Sequence, residues 1–264
     1  MRAVFCWLLF WFLWLNPVQA GPLLDRLATF PEWQTKPLVQ PAEGDLIYPA
    51  WFAGTWTMTS TLVDLVAPLA PDVVTPGFDR NQQYLNQPIT CQVRFVRASS
   101  LPGEFSASPL NLPLKALNND PLVSDRAFNG LNLARAYLGN RAVLSVEVDP
   151  TAPNRQITTF REGRQLVSVV TGRAVEEVGS DRFITTELFQ QIFRGTPQPY
   201  LNQVETTTDY HLLSGQKRAI VADQVTAIYL SPQDPEYFKA VNKPVALYRY
   251  RLEFSGSPSL PVKE

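Results

Sequence analysis

Between Gly54 and Val63 every second residue is a threonine: Thr55, Thr57, Thr59 and Thr61 alternate with Trp56, Met58, Ser60 and Leu62. A period of two places hydroxyls on one face and mostly large apolar groups on the other, the pattern of a half-buried strand. The lead-in, Tyr48-Pro49-Ala50-Trp51-Phe52-Ala53-Gly54, is an aromatic turn. Gly54 is expected to let the backbone bend so that Trp51-Phe52 folds beneath the strand. This stretch predicts the first strand of an all-β fold with the turn plugging its base.

The later half of the chain continues the pattern. Strands are predicted at Arg141–Asp149, Arg155–Phe160, Arg164–Val178, Arg182–Phe193, Leu201–Leu213, Lys217–Leu230 and Pro244–Phe254. Most of their separators carry turn chemistry, among them Glu162-Gly163, Gly179-Ser180 and Ser214-Gly215. The earlier half differs, because twelve of the 23 prolines fall between Pro31 and Pro121. Only Tyr48–Val63 and Ile89–Ala98 read as strands there, with Asp64–Gln87 and Ser99–Pro121 as long loops. One helix is predicted over Val123–Leu138, with Ser124 as N-cap, Gly139 at its end, and Ala127, Leu131, Ala134 and Leu138 as its apolar stripe. Gly130 in its middle marks a close approach. A short helix is expected over Pro235–Val241. A meander of about nine strands escapes edge pairing most simply by closing on itself. The expected fold is therefore an antiparallel up-and-down β-barrel, with a β-sandwich as the alternative.

Residues 1–20 have the plan of a secretory signal peptide: Arg2, an apolar run over Val4–Leu15, a break at Asn16-Pro17 and a small-residue site ending at Ala20. The apolar run is shorter than the about 20 residues of a membrane span. The expected domain plan is a signal peptide (1–20), a proline-rich arm (21–47), one barrel domain (48–254) with an insertion (64–139), and a tail (255–264). Without residues 1–20 the chain carries 22 basic residues (23 − 1) and 24 acidic ones, a charge near −2 that offers nothing to nucleic acid. Cys91 is then the single cysteine, so an intrachain disulfide is not expected, and it reads as a small core residue.

Chemistry-bearing patterns are sparse. One histidine and one remaining cysteine make no metal site, and neither a nucleophile elbow nor a phosphate loop is present. No cofactor is expected. Asp209 and His211 share a strand face in Thr208-Asp209-Tyr210-His211 and are the weak candidates for acid-base work. Trp56, Phe95 and Tyr250 are candidate ligand-binding wall residues, with Phe128 as part of a lid; Arg126, Leu131 and Arg135 mark the helix as a lid or docking surface.

Two triplets carry a resemblance. Gly54-Thr55-Trp56 resembles the Gly-x-Trp signature of the lipocalins, and Thr208-Asp209-Tyr210 resembles their Thr-Asp-Tyr signature. The blocks at 52–56, 124–139 and 149–158 are similar to an uncharacterised family of cyanobacterial and chloroplast proteins directed to the thylakoid lumen. The resemblance implies a lipocalin-like (calycin) barrel in the thylakoid lumen or periplasm. The resemblance supplies no activity; the expectation for an alternating barrel is non-enzymatic binding of a small hydrophobic ligand: a lipid, quinone or pigment. The alternatives are an assembly factor for a photosynthetic thylakoid membrane complex, and an enzyme acting on a lipid or carotenoid.

Overall fold

The computed structural model describes residues 21–101, 120–215 and 219–256. The element order is α1 (Pro22–Ala28), β1 (Gln40–Pro41), β2 (Gly54–Val66), α2 (Phe78–Asn81), β3 (Pro88–Arg97), β4 (Leu122–Ser124), α3 (Arg126–Leu138), β5 (Val143–Asp149), β6 (Ala152–Phe160), β7 (Gln165–Val178), β8 (Arg182–Arg194), β9 (Tyr200–Leu213), β10 (Ala219–Leu230), α4 (Tyr237–Ala240) and β11 (Ala246–Ser255). The expected all-β, antiparallel, barrel-like fold is observed. The first and last long strands, β2 and β11, pair as a barrel requires, and the strand path runs β4-β3-β2-β11-β10-β9-β8-β7-β6-β5.

The closure differs from that of an up-and-down barrel. β4 and β5 end the path without pairing with each other. Two other segments cover this seam. The arm bridges it at one end: β1 pairs with β7 at Gln40↔Arg173, and Ile47 then bridges to Val123 in β4. β6 leaves β7 beyond Val169, and the arm takes up the freed edge. Helix α3 packs between β3 on one side and β5 and β6 on the other. Residues 64–139, expected as an insertion, therefore contribute β3, β4 and the seam helix to the wall.

The period of two decides which side chains go inside. On β2 the inward set is Trp56, Met58, Ser60 and Leu62, and the threonines face out, with Thr59 meeting Thr90 across the strands at 3.2 Å. Gly54 sits at φ 115°, a conformation that favours glycine, and there the 3-10 turn Ala50–Phe52 folds under the barrel as expected. Phe52 is fully buried, with ring centroids 4.9 Å from Tyr48, 4.8 Å from Phe95 and 5.0 Å from Tyr210. This aromatic plug closes one end. On β7 a register shift between Val170 and Gly172 makes Thr171 an extra residue. The bulge switches the inward set from Leu166, Ser168 and Val170 to Arg173 onward.

A second apolar layer lies outside the sheet. Leu23, Leu27 and Trp33 of the arm cover the outward side chains of Ile184, Val225, Ala227, Tyr229 and Leu247. Glu205 is completely buried in this layer, where Arg26 donates to both its oxygens at 2.6 and 2.7 Å, Tyr229 donates at 2.7 Å and Thr207 at 2.8 Å. The buried outward threonines Thr186 and Thr207 hydrogen-bond to each other at 2.7 Å beneath the arm. The covering arm brings a guanidinium to a carboxylate that would otherwise be an unpaired buried charge.

The helix needs two corrections. α3 begins at Arg126, because Val123 and Ser124 complete β4, and the N-cap is Asp125, whose Oδ1 accepts from Phe128 N at 3.0 Å. Its stripe against the barrel is Arg126, Asn129, Gly130, Leu133, Ala134, Tyr137 and Leu138, turned from the expected one.

Candidate functional site

Inside the barrel, above the aromatic plug, lies a cavity of about 630 Å³. α3 forms one wall with residues spaced i, i+3, i+4, i+7, the face of a helix turned to one partner. The strands supply the rest. Apolar surface comes from Met58, Val93, Phe95, Val170, Phe189, Tyr250, Leu252 and Phe254; polar surface comes from Gln156, Ser168, Gln191, Gln224 and Thr226. A larger concavity of about 850 Å³ lies along Leu38–Glu43 of the arm and Arg173–Val175, but only those two chain segments line it. The barrel cavity is the one that the strand alternation builds.

The seam helix is pinned by its N-terminal turn. Where β4 ends, Arg94 of β3 has backbone groups to satisfy. Asn129 accepts from Arg94 N at 2.7 Å and donates to Arg94 O at 3.0 Å, so its side-chain amide completes the strand edge. The Arg94 guanidinium donates to Asp125 at 2.7 Å and lies 4.3 Å from the centroid of the Phe128 ring. Gly130 marks the close approach its position suggested: a Cβ there would stand 3.0 Å from Gln156 Nε2 and 3.1 Å from Val146 Cγ1. At the far end Tyr137 hydrogen-bonds Ser60 at 3.3 Å.

One charged side chain lines the cavity among the described residues, Arg126. Its Nε donates to Asp45 at 3.0 Å and its guanidinium donates to Glu187 at 2.9 Å. Glu187 also accepts from Arg173 at 2.9 and 2.7 Å. Arm, helix, β7 and β8 thus meet in one buried ion network. Burial pushes the Asp45 carboxyl up by more than its arginine neighbours pull it down. Burial works the same way on Glu187, but Arg126 and Arg173 beside it hold that carboxyl below its ordinary range.

The sequence-predicted residues divide between wall and elsewhere. Phe95 and Tyr250 line the cavity, and burial raises the Tyr250 phenol, with Tyr137 and Tyr248 adding to the effect. Trp56 lies in the packed core below, its indole donating to Phe52 O at 2.7 Å. Phe128, expected in a lid over the ligand, lies outside the lining beneath Arg94. Leu131 and Arg135 are also absent from the lining, whereas Arg126 faces it rather than presenting an outer docking surface. Asp209 and His211 are adjacent, 3.1 Å apart, but Tyr210 between them lines the cavity, so both point the other way. Arg182 occupies both Asp209 oxygens, at 2.9 and 2.6 Å. Arg182 and Asp209 form an outer-face ion pair with His211 beside it. Burial raises the Cys91 thiol in the core, which keeps it protonated. No metal-binding cluster of histidine, cysteine and carboxylate side chains occurs among the described residues, and no helix there is long and apolar enough to cross a membrane.

Sequence reasoning missed the glutamines. Gln191 and Gln224 fall on inward positions of β8 and β10, where the same period of two carries their signal, whereas the expected wall residues Trp56, Phe95 and Tyr250 are all aromatic.

The chain matches the family described as a domain of unknown function (DUF6816) over residues 40–257, and it belongs to that family. Comparison with curated proteins and with solved structures returns no match.

Proposed function

We propose that this member of a family of unknown function binds a small amphipathic molecule in its barrel, and that it does so after export. The observation that carries the reading is the cavity of about 630 Å³, which lies in the 300–1,000 Å³ range usual for ligand sites. Its position supports the reading too, since the helix that covers it packs between β3 and β5 across the seam of the sheet. Export to a lumenal or periplasmic compartment rests on the signal-peptide plan of residues 1–20. A lipid, quinone or pigment fits the apolar surface of the wall. The assembly-factor alternative expected a filled interior and draws less support from a barrel with a cavity. An enzymatic role draws less support too, because Asp209 and His211 point away from that cavity.

The test is purification of the exported chain from its own host without denaturant, followed by an absorption spectrum and mass spectrometry of a solvent extract. A stoichiometric apolar or amphipathic molecule is expected. An empty protein that also fails to bind an uncharged fluorescent probe would refute the reading.

A further inference from the structure

We propose that the cavity selects an uncharged amphiphile, one with hydroxyl, ether or carbonyl groups on an apolar body, over ligands bearing a carboxylate, phosphate or ammonium group. This rests on the reading of the cavity as a binding site. A charged headgroup inside a protein needs a counter-charge. The one charged side chain in the lining among the described residues, Arg126, is already held by Asp45 and Glu187, and Glu187 is shared with Arg173. Two guanidiniums face two carboxylates, so the network is neutral as it stands. An anionic headgroup would have to displace a carboxylate, and a cationic one would meet Arg126 with no carboxylate among the described lining residues to receive it.

A pure hydrocarbon fits no better. Gln156, Gln191 and Ser168 line the cavity from β6, β8 and β7, and they make no side-chain hydrogen bond among the described residues. Gln224 Oε1 accepts from Thr208 at 3.2 Å, which leaves its N–H groups to donate into the cavity. Burying these groups against hydrocarbon would strip their water and return nothing. A ligand with neutral donors and acceptors on one side and an apolar body on the other satisfies both halves of the wall.

The experiment is displacement of N-phenyl-1-naphthylamine, an uncharged fluorescent probe, from the full exported chain. Three competitors share one chain length: oleyl alcohol, oleate and 1-octadecene. Oleyl alcohol is expected to compete at least tenfold more strongly than either of the others. In Asp45→Asn, which leaves two arginines against Glu187 alone, oleate should gain on oleyl alcohol at least tenfold. In Gln191→Leu/Gln224→Leu, octadecene should draw level with the alcohol. Oleate competing as well as the alcohol in the unaltered protein would overturn this inference and leave the binding reading standing. Failure of the probe to bind at all would overturn both.

Discussion

Removing the carboxylate of Glu187 while keeping its shape, as in Glu187→Gln, is the sharpest perturbation of the seam. The side chain is 13% exposed and accepts from Arg126 at 2.9 Å and from Arg173 at 2.9 and 2.7 Å. At an effective dielectric of about 20, one such contact near 3 Å carries roughly 5 kcal/mol of gross attraction. Desolvation of the three groups offsets much of it. What the variant measures is the penalty of leaving Arg173 buried without its carboxylate, typically about 3–5 kcal/mol. That is a large part of the roughly 5–15 kcal/mol that keeps a domain folded. Urea denaturation should show a lower midpoint with an unchanged slope. Glu253→Gln is the control, since Glu253 and Arg251 meet at 3.4 Å with most of both side chains in water; it should move stability by less than about 1 kcal/mol. A loss under about 1 kcal/mol for Glu187→Gln would refute the reasoning. The pH dependence has a defined sign. The folded Glu187 carboxyl lies below its ordinary value of 4.5, so its contribution is present above pH 4.5 and disappears as the pH falls through the lower folded value.

Three further outcomes follow from the same geometry. Gly130→Leu, whose Cβ would meet Val146 Cγ1 at 3.1 Å, should destabilise by about 1–3 kcal/mol in thermal melts and weaken probe binding, because it lifts α3 off the seam. Trp33→Ala removes a buried ring that lies 3.9 Å from the Arg26 guanidinium and donates to Arg26 O at 2.7 Å; about 3–5 kcal/mol should be lost in denaturant titrations. Asp149 is held at about 2, first by the Thr151 hydroxyl, then by Thr151 N–H and Arg155. NMR titration should find it there, with its contribution intact above pH 3.8 and lost as the pH falls through about 2.

Much of the barrel was legible because alternation is a local signal. The strands from β5 to β11 start and end within a few residues of their predicted limits. The threonines of β2 face outward, as β-formers on a solvated face do. What was not legible depends on contacts between distant residues. Alternation says which side chains share a face; it does not say which strands are neighbours, so the seam between β4 and β5 was invisible. The helix stripe was misplaced because its barrel face includes Arg126 and Asn129, which an apolar pattern cannot find. Thr186 and Thr207 point outward yet are buried, since α1 brings Arg26 over a partner 179 residues away. The cavity residues were half found: Phe95 and Tyr250 by their aromatic character, Gln156, Gln191 and Gln224 not at all.

The most direct measurement of the central claim fills the cavity and asks whether binding goes. Ser168 and Ala134 line it from two different elements, β7 and α3, and neither side chain makes a hydrogen bond that a substitution would break. Ser168→Phe/Ala134→Phe should melt cooperatively yet bind N-phenyl-1-naphthylamine at least tenfold more weakly than the unaltered protein. Unchanged probe affinity in a folded double variant would contradict the account and place binding outside the barrel.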